Sequence, residues 1–128
     1  MKKLFVSVPM KGRTEEEIKS SIQKMKKIAE IYEGEELELI DSYIDEEPTE
    51  NCNRGVWFLA KSIDMLSEAD VFIGIQECYD WKGCCIENGV AEKYDIKRYS
   101  VRADYVIDDY ASVYRKAHPE CVNACFPG

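Results

Sequence analysis

Residues 71–75 read Val-Phe-Ile-Gly-Ile, a run without a single polar side chain. A strand with one wet face alternates apolar and polar residues. An uninterrupted β-branched and aromatic run belongs instead to a strand covered on both faces, as in a parallel sheet between two layers of helices. The segment is therefore expected to be the central strand. Leu4 to Val8, broken only by Ser7 and closed by Pro9 and Gly12, reads as a second buried strand. Between the two, Thr14 and Glu17 have capping-box spacing, and Ile18, Ile22, Met25, Ala29 and Tyr32 follow at steps of four and three. That spacing predicts a long amphipathic helix ending near Gly34.

Leu37 to Ile40 is a further short strand, and Pro48 ends the acidic loop behind it. A helix is expected from about Gly55 to Ser67, capped by Asn51 or Asn53, with Val56, Leu59, Ala60, Ile63 and Leu66 on its buried side. After the central strand, the loop 76–82 leads to a helix starting near Gly83 to Cys85, with Ile86, Val90, Ala91 and Tyr94 at helical spacing. Tyr99 to Val101 and Tyr105 to Ile107 are candidate strands, and Asp109 to Ala117 a last helix. Residues 118–128 show no period. Strands alternating with helices over short connections predict a parallel α/β sheet of four to five strands with helices on both faces.

The chain is 128 residues long and 45% hydrophobic, the size of one domain, and it has no linker or repeat that would divide residues 1–128. Seventeen Lys and Arg stand against 25 Asp and Glu, for a net charge of −8, which argues against a nucleic-acid polymer or an anionic membrane as partner. Nine of the acidic residues fall between Glu33 and Glu50, where there is no Lys or Arg, so the acidity is local. A small anionic ligand would meet Lys11 and Arg13 instead. No run of 18 apolar residues occurs, and the apolar stretch in the N-terminal MKKLFVSVPMKGR is too short for a signal sequence, so a cytoplasmic protein without membrane contact is expected. Its six cysteines are then thiols rather than a disulfide framework.

In such sheets ligands lie beyond the carboxyl ends of the strands. Two loops reach that crevice: Pro9-Met10-Lys11-Gly12-Arg13, and Glu77 to Cys85. The first combines a glycine and two cations with a helix N-terminus, suited to an anion or a ribose, although an ordinary capped turn has the same composition. It matches neither the P-loop nor the dinucleotide fingerprint. In the second, Asp80 can accept hydrogen bonds from a sugar hydroxyl and Trp81 can stack on a base; a surface turn with an aromatic lid over the core is the plainer account. Tyr79 is similar but less specific.

Glu87 falls in the opening part of the next helix, whose positive end is expected to keep its carboxylate ionised. An anionic carboxylate in a partly desolvated crevice suits a nucleophile or the stabilisation of an oxocarbenium-like centre. Acidic residues also favour first turns for structural reasons alone. Cys84 and Cys85, at the same helix start, are either thiols of lowered pKa or small packing residues. His118, Cys121 and Cys125 lack a fourth partner and fall short of a zinc pattern, so neither a metal nor a cofactor is expected.

Taken together, Val8-Pro9-Met10-Lys11-Gly12, then Ser67-Glu68-Ala69-Asp70-Val71-Phe72-Ile73, then Trp81-Lys82-Gly83-Cys84-Cys85-Ile86-Glu87-Asn88-Gly89-Val90-Ala91 resemble the nucleoside 2-deoxyribosyltransferase superfamily, in particular its small phage and bacterial branch. The likeness covers roughly three quarters of the chain, to about Tyr94. Its most specific part is Gly-x-x-x-Glu-x-x-x-Ala after a buried strand that opens with Ala-Asp-Val. The resemblance implies a flavodoxin-like or Rossmann-like sheet, a nucleophile at Glu87, and transfer of 2-deoxyribose between bases or to water by double displacement. It implies further that Pro9, Met10, Lys11, Gly12 and Arg13, with Trp81 and Gly83, border the substrate. Asp80 would hold the sugar or protonate the departing base, and the protein would form homo-oligomers. In the family the loop before the glutamate carries a small hydroxyl residue beside the glycine, where this chain has Cys84, and Ser7-Val8 stands where Ala-Gly or Ser-Gly precedes the proline. A protein that binds a nucleotide or an ADP-ribose-like ligand without breaking it is the alternative on the same fold.

Overall fold

The computed structural model describes residues 1–119. Four strands, β1 (Lys3–Val6), β2 (Glu38–Leu39), β3 (Val71–Ile75) and β4 (Lys97–Val101), form one sheet in the order β2-β1-β3-β4. Every pairing is parallel. The helices are α1 (Glu15–Glu33), α2 (Arg54–Leu66), α3 (Lys82–Lys93), the single turn α4 (Ala103–Val106) and α5 (Tyr110–Ala117). This is the doubly wound, flavodoxin-like arrangement expected from the alternation of strands and helices. From β1 the chain moves outward to β2 and then crosses back to β3, so the direction of winding reverses between β1 and β3.

The central strand has both faces covered because its side chains alternate between two cores. Leu4, Val6 and Val8 of the β1 segment and Val71, Ile73 and Ile75 of β3 meet Ile18, Ile22, Met25 and Ala29 of α1, together with α4 and α5. Phe5 and Phe72 point the other way, toward Leu66 of α2 and Ala91 of α3. Their rings stack with centroids 6.1 Å apart. Burial of each such side chain stabilises the fold by about 1.5–3 kcal/mol. Gly74 serves this thinner layer, since a Cβ there would lie 3.0 Å from Cε1 of Phe72.

Local signals set the helix ends. The Thr14 hydroxyl accepts from the Glu17 N–H at 3.2 Å while the Glu17 carboxylate accepts from the Thr14 N–H at 3.1 Å, completing the capping box. Gly34, at φ 75°, closes α1 in the left-handed conformation. Asn53 rather than Asn51 caps α2, accepting from the Val56 N–H at 3.0 Å.

Three expectations require correction. Residues 105–107 are not a strand: Ala103, Val106 and Ile107 are buried at helical spacing, and the Ile107 N–H donates to the Ala103 carbonyl at 2.8 Å, so the sheet stops at four strands. In α2 only Leu66 is fully buried and Val56 is 60% exposed, because the thin second layer leaves one side of the helix uncovered. In α3 the buried stripe runs through Cys84, Glu87 and Ala91, while Ile86 and Tyr94 face solvent. No described helix is long and apolar enough to cross a membrane.

A candidate active-site cleft at the β1–β3 switch point

The strand ends on either side of the winding reversal leave a crevice that no crossover helix fills. There the protein has a cleft of about 560 Å³. Val8 to Lys11 follow β1 into it, Tyr79 to Gly83 follow β3, Ser42 follows β2, and Gly55, Phe58, Leu59 and Ser62 come from α2. Glu87 reaches it from the second turn of α3.

Glu87 is only 8% exposed. Its Oε1 accepts the Ser7 hydroxyl at 2.6 Å, across 80 positions of sequence, and Ser62 of α2 is a second hydrogen-bonding partner. Burial raises its pKa to about 7, and the two serines oppose that shift by favouring the carboxylate. The expectation that the helix end keeps this group fully ionised is thus corrected. Glu87 lies one turn beyond the exposed N–H groups, and desolvation outweighs the dipole, so near neutral pH both protonation states are populated. The Cys84 thiol, beside Ser7 and Glu87, is pushed up to about 12 by burial, with the neighbouring carboxylate adding to the effect. It is a protonated packing residue, not an activated nucleophile.

The other expected site residues divide. Pro9, Met10, Lys11, Asp80, Trp81 and Gly83 line the cleft. Gly12 and Arg13 do not. Gly12 takes φ 74° to turn the chain away from the crevice. The Arg13 guanidinium points back into the loop, donating to the Pro9 carbonyl at 2.8 Å, the Glu17 carbonyl at 3.1 Å and the Ser21 hydroxyl at 2.6 Å. Ser21 in turn donates to the Val106 carbonyl at 2.6 Å, so Arg13 ties the first loop to α1 and α4 rather than binding an anion. Lys11 is the cation of this loop that remains at the cleft, its Nζ 3.4 Å from the Ala117 carbonyl oxygen.

Trp81 is 6% exposed and is no free stacking platform. Its indole N–H donates to the Tyr110 hydroxyl at 3.0 Å, and its ring packs edge-on to Tyr114 and His118. Asp80 is exposed on the single 3₁₀ turn Cys78–Asp80. Its carbonyl oxygen lies 2.7 Å from Nε2 of His118, whose Nδ1 lies 3.1 Å from the Tyr114 carbonyl oxygen. His118 is therefore part of the cleft wall. Among the described residues no cluster of three or more His, Cys, Asp or Glu could hold a metal ion; Cys121 and Cys125 lie outside them.

Motif reading missed Ser7, Ser42 and Ser62, as well as the apolar wall of Phe58 and Leu59. For Glu87 a signal was present: it falls in register with Cys84 and Ala91, on the stripe that faces the sheet. Fold and site together define a flavodoxin-like α/β protein with a buried, hydrogen-bonded carboxyl at its switch-point cleft. No family model, curated protein or solved structure matches the chain.

Proposed function

We propose that this protein cleaves the N-glycosidic bond of a nucleoside or nucleotide by double displacement, with Glu87 as the nucleophile. The observation that carries the reading is the carboxyl of Glu87, held by Ser7 at 2.6 Å in the floor of a cleft lined by Phe58, Leu59 and Met10. Ser7 and Ser62 hold the carboxylate in place, and one of its oxygens attacks the anomeric carbon. As the new C–O bond forms, the C–N bond breaks and its electron pair leaves on the base nitrogen, which takes up a proton; Asp80, at the cleft rim, is the candidate donor. A second base or water then attacks the same carbon and releases the carboxylate. The sequence likeness to the nucleoside 2-deoxyribosyltransferase superfamily supports the same assignment. It also supports homo-oligomers.

One observation favours the alternative of binding without cleavage. With a pKa of about 7, Glu87 is protonated in a large share of molecules at neutral pH, and a carboxylic acid donates a hydrogen bond but is a poor nucleophile. The test is incubation with a panel of 2′-deoxynucleosides and ribonucleotides, followed by chromatography for free base, with and without a second base. Base release, capture of the sugar by the added base, and loss of both in Glu87→Gln are expected. Ligand-induced thermal stabilisation without base release from any panel member would establish the binding reading and overturn the enzymatic one.

A further inference from the structure

The cleft lining combines two unlike sets of residues. One is polar: Lys11 after β1, Lys82 in the first turn of α3, Gly83, where a Cβ would meet nothing within 4 Å, and the exposed Asp80. The other is Ser42, after β2, with the α2 residues Phe58 and Leu59. Ser42, Phe58 and Leu59 carry no charge, so this part of the lining suits an uncharged, flat group.

Ser42 is 3% exposed, and its hydroxyl oxygen is one of two buried side-chain polar atoms without a hydrogen-bond partner among the described residues. The other, Nε of Arg13, belongs to a guanidinium whose remaining nitrogens are bonded. Buried hydroxyls are as a rule hydrogen-bonded, so the Ser42 hydroxyl has bonding capacity to offer a group in the cleft. Turning about its Cα–Cβ bond toward the cleft breaks no hydrogen bond, because the oxygen makes none.

We propose that Ser42 recognises the base of the ligand: its hydroxyl hydrogen-bonds a polar atom on the edge of a neutral heterocycle, and Phe58 and Leu59 supply the apolar wall. The assignment rests on the nucleoside reading of the same cleft. Base recognition itself requires no bond cleavage. The experiment is calorimetric titration of the parent protein and Ser42→Ala with free adenine, hypoxanthine, cytosine and thymine, their 2′-deoxynucleosides, and deaza analogues that lack single ring nitrogens. The expected result is a roughly tenfold loss of affinity in Ser42→Ala for the preferred base. That loss is expected to vanish for one analogue, with an unchanged or higher Tm. Equal affinity in both proteins, a lowered Tm that marks the hydroxyl as structural, or no binding of any base to the parent overturns it. Base release with kcat/KM unchanged in Ser42→Ala overturns this role and leaves Glu87 as nucleophile. Base binding that depends on Ser42 without any release supports this role and overturns the nucleophile.

Discussion

Replacing Glu87 by Gln keeps the size of the side chain and an oxygen that can accept the Ser7 hydroxyl, but it removes the titration. In the folded protein the Glu87 carboxyl has a pKa of about 7, against an ordinary value of 4.5. The folded state therefore holds this proton more tightly than the unfolded chain, and Glu87 makes stability fall as pH rises from 4.5 through about 7. The penalty is absent below that window and complete above it. At 1.36 kcal/mol per pH unit the window corresponds to about 3 kcal/mol. Glu87→Gln is thus expected to match the parent near pH 4.5 and to be more stable by about 3 kcal/mol at pH 8.5, or about 10 °C in Tm for a domain of this size. Urea unfolding followed by the fluorescence of the two tryptophans, Trp57 and Trp81, at intervals from pH 4.5 to 8.5 measures the difference directly. Parallel stability curves, or a variant that is less stable at high pH, would refute the claim that desolvation governs this carboxyl. The proposed chemistry adds a second consequence: the variant that gains stability at pH 8.5 is the one that loses turnover, as expected where a site keeps an unfavourable charge for function.

Ser7→Ala removes the hydroxyl that favours the ionised form of Glu87, so its cost grows with pH, from little at pH 5 to about 1–3 kcal/mol at pH 8.5 by urea unfolding; a cost independent of pH would assign Ser7 to packing alone. At the amino ends of the strands, Glu33 accepts from Tyr99 at 2.8 Å and pairs with Lys97 at 2.7 Å and Lys2 at 3.3 Å, bonds that lower its pKa to about 2. Its contribution to stability is present above the ordinary 4.5 and is lost as pH falls toward 2. Glu33→Gln is expected to be the less stable protein at pH 7 and to converge with the parent near pH 2, and acid titrations that stay separated would show the bonds to be idle. Gly74→Ala drives a methyl to 3.0 Å from the Phe72 ring and 3.8 Å from Cβ of Ser7, for a loss of about 1–3 kcal/mol in chemical denaturation. An unchanged midpoint would mean that the Phe5–Phe72 stack has room to yield.

Much of the scaffold was legible along the chain because its signals are local. The run Val71–Ile75 implied a parallel sheet, Thr14 with Glu17 marked the start of α1, and the loop Pro9-Met10-Lys11-Gly12-Arg13 after a buried strand pointed to the crevice, which its first three residues line. The periodicity that placed α2 and α3 did not say how deeply each face would be covered, since that depends on the thickness of the opposing layer. Residues 105–107 carry β-favouring side chains, yet a tight connection after β4 turns them into α4 and the residue that follows it.

Residue types in order along the chain determined the winding of strands and helices, the two loops at the crevice and the carboxyl of Glu87. Tertiary structure alone decided that Arg13 turns away from the cleft to hold its own loop, that Trp81 is committed to Tyr110, that Ser42 and Ser62 arrive at one cleft from separate segments, and that Ser7 bonds Glu87 there. It also decided the charge state of Glu87. Hydrophobic spacing is a property of neighbours a few residues apart, whereas desolvation is a sum over whatever the fold brings near, and Glu87 is buried where Ser7 and Ser62, from distant parts of the chain, meet α3.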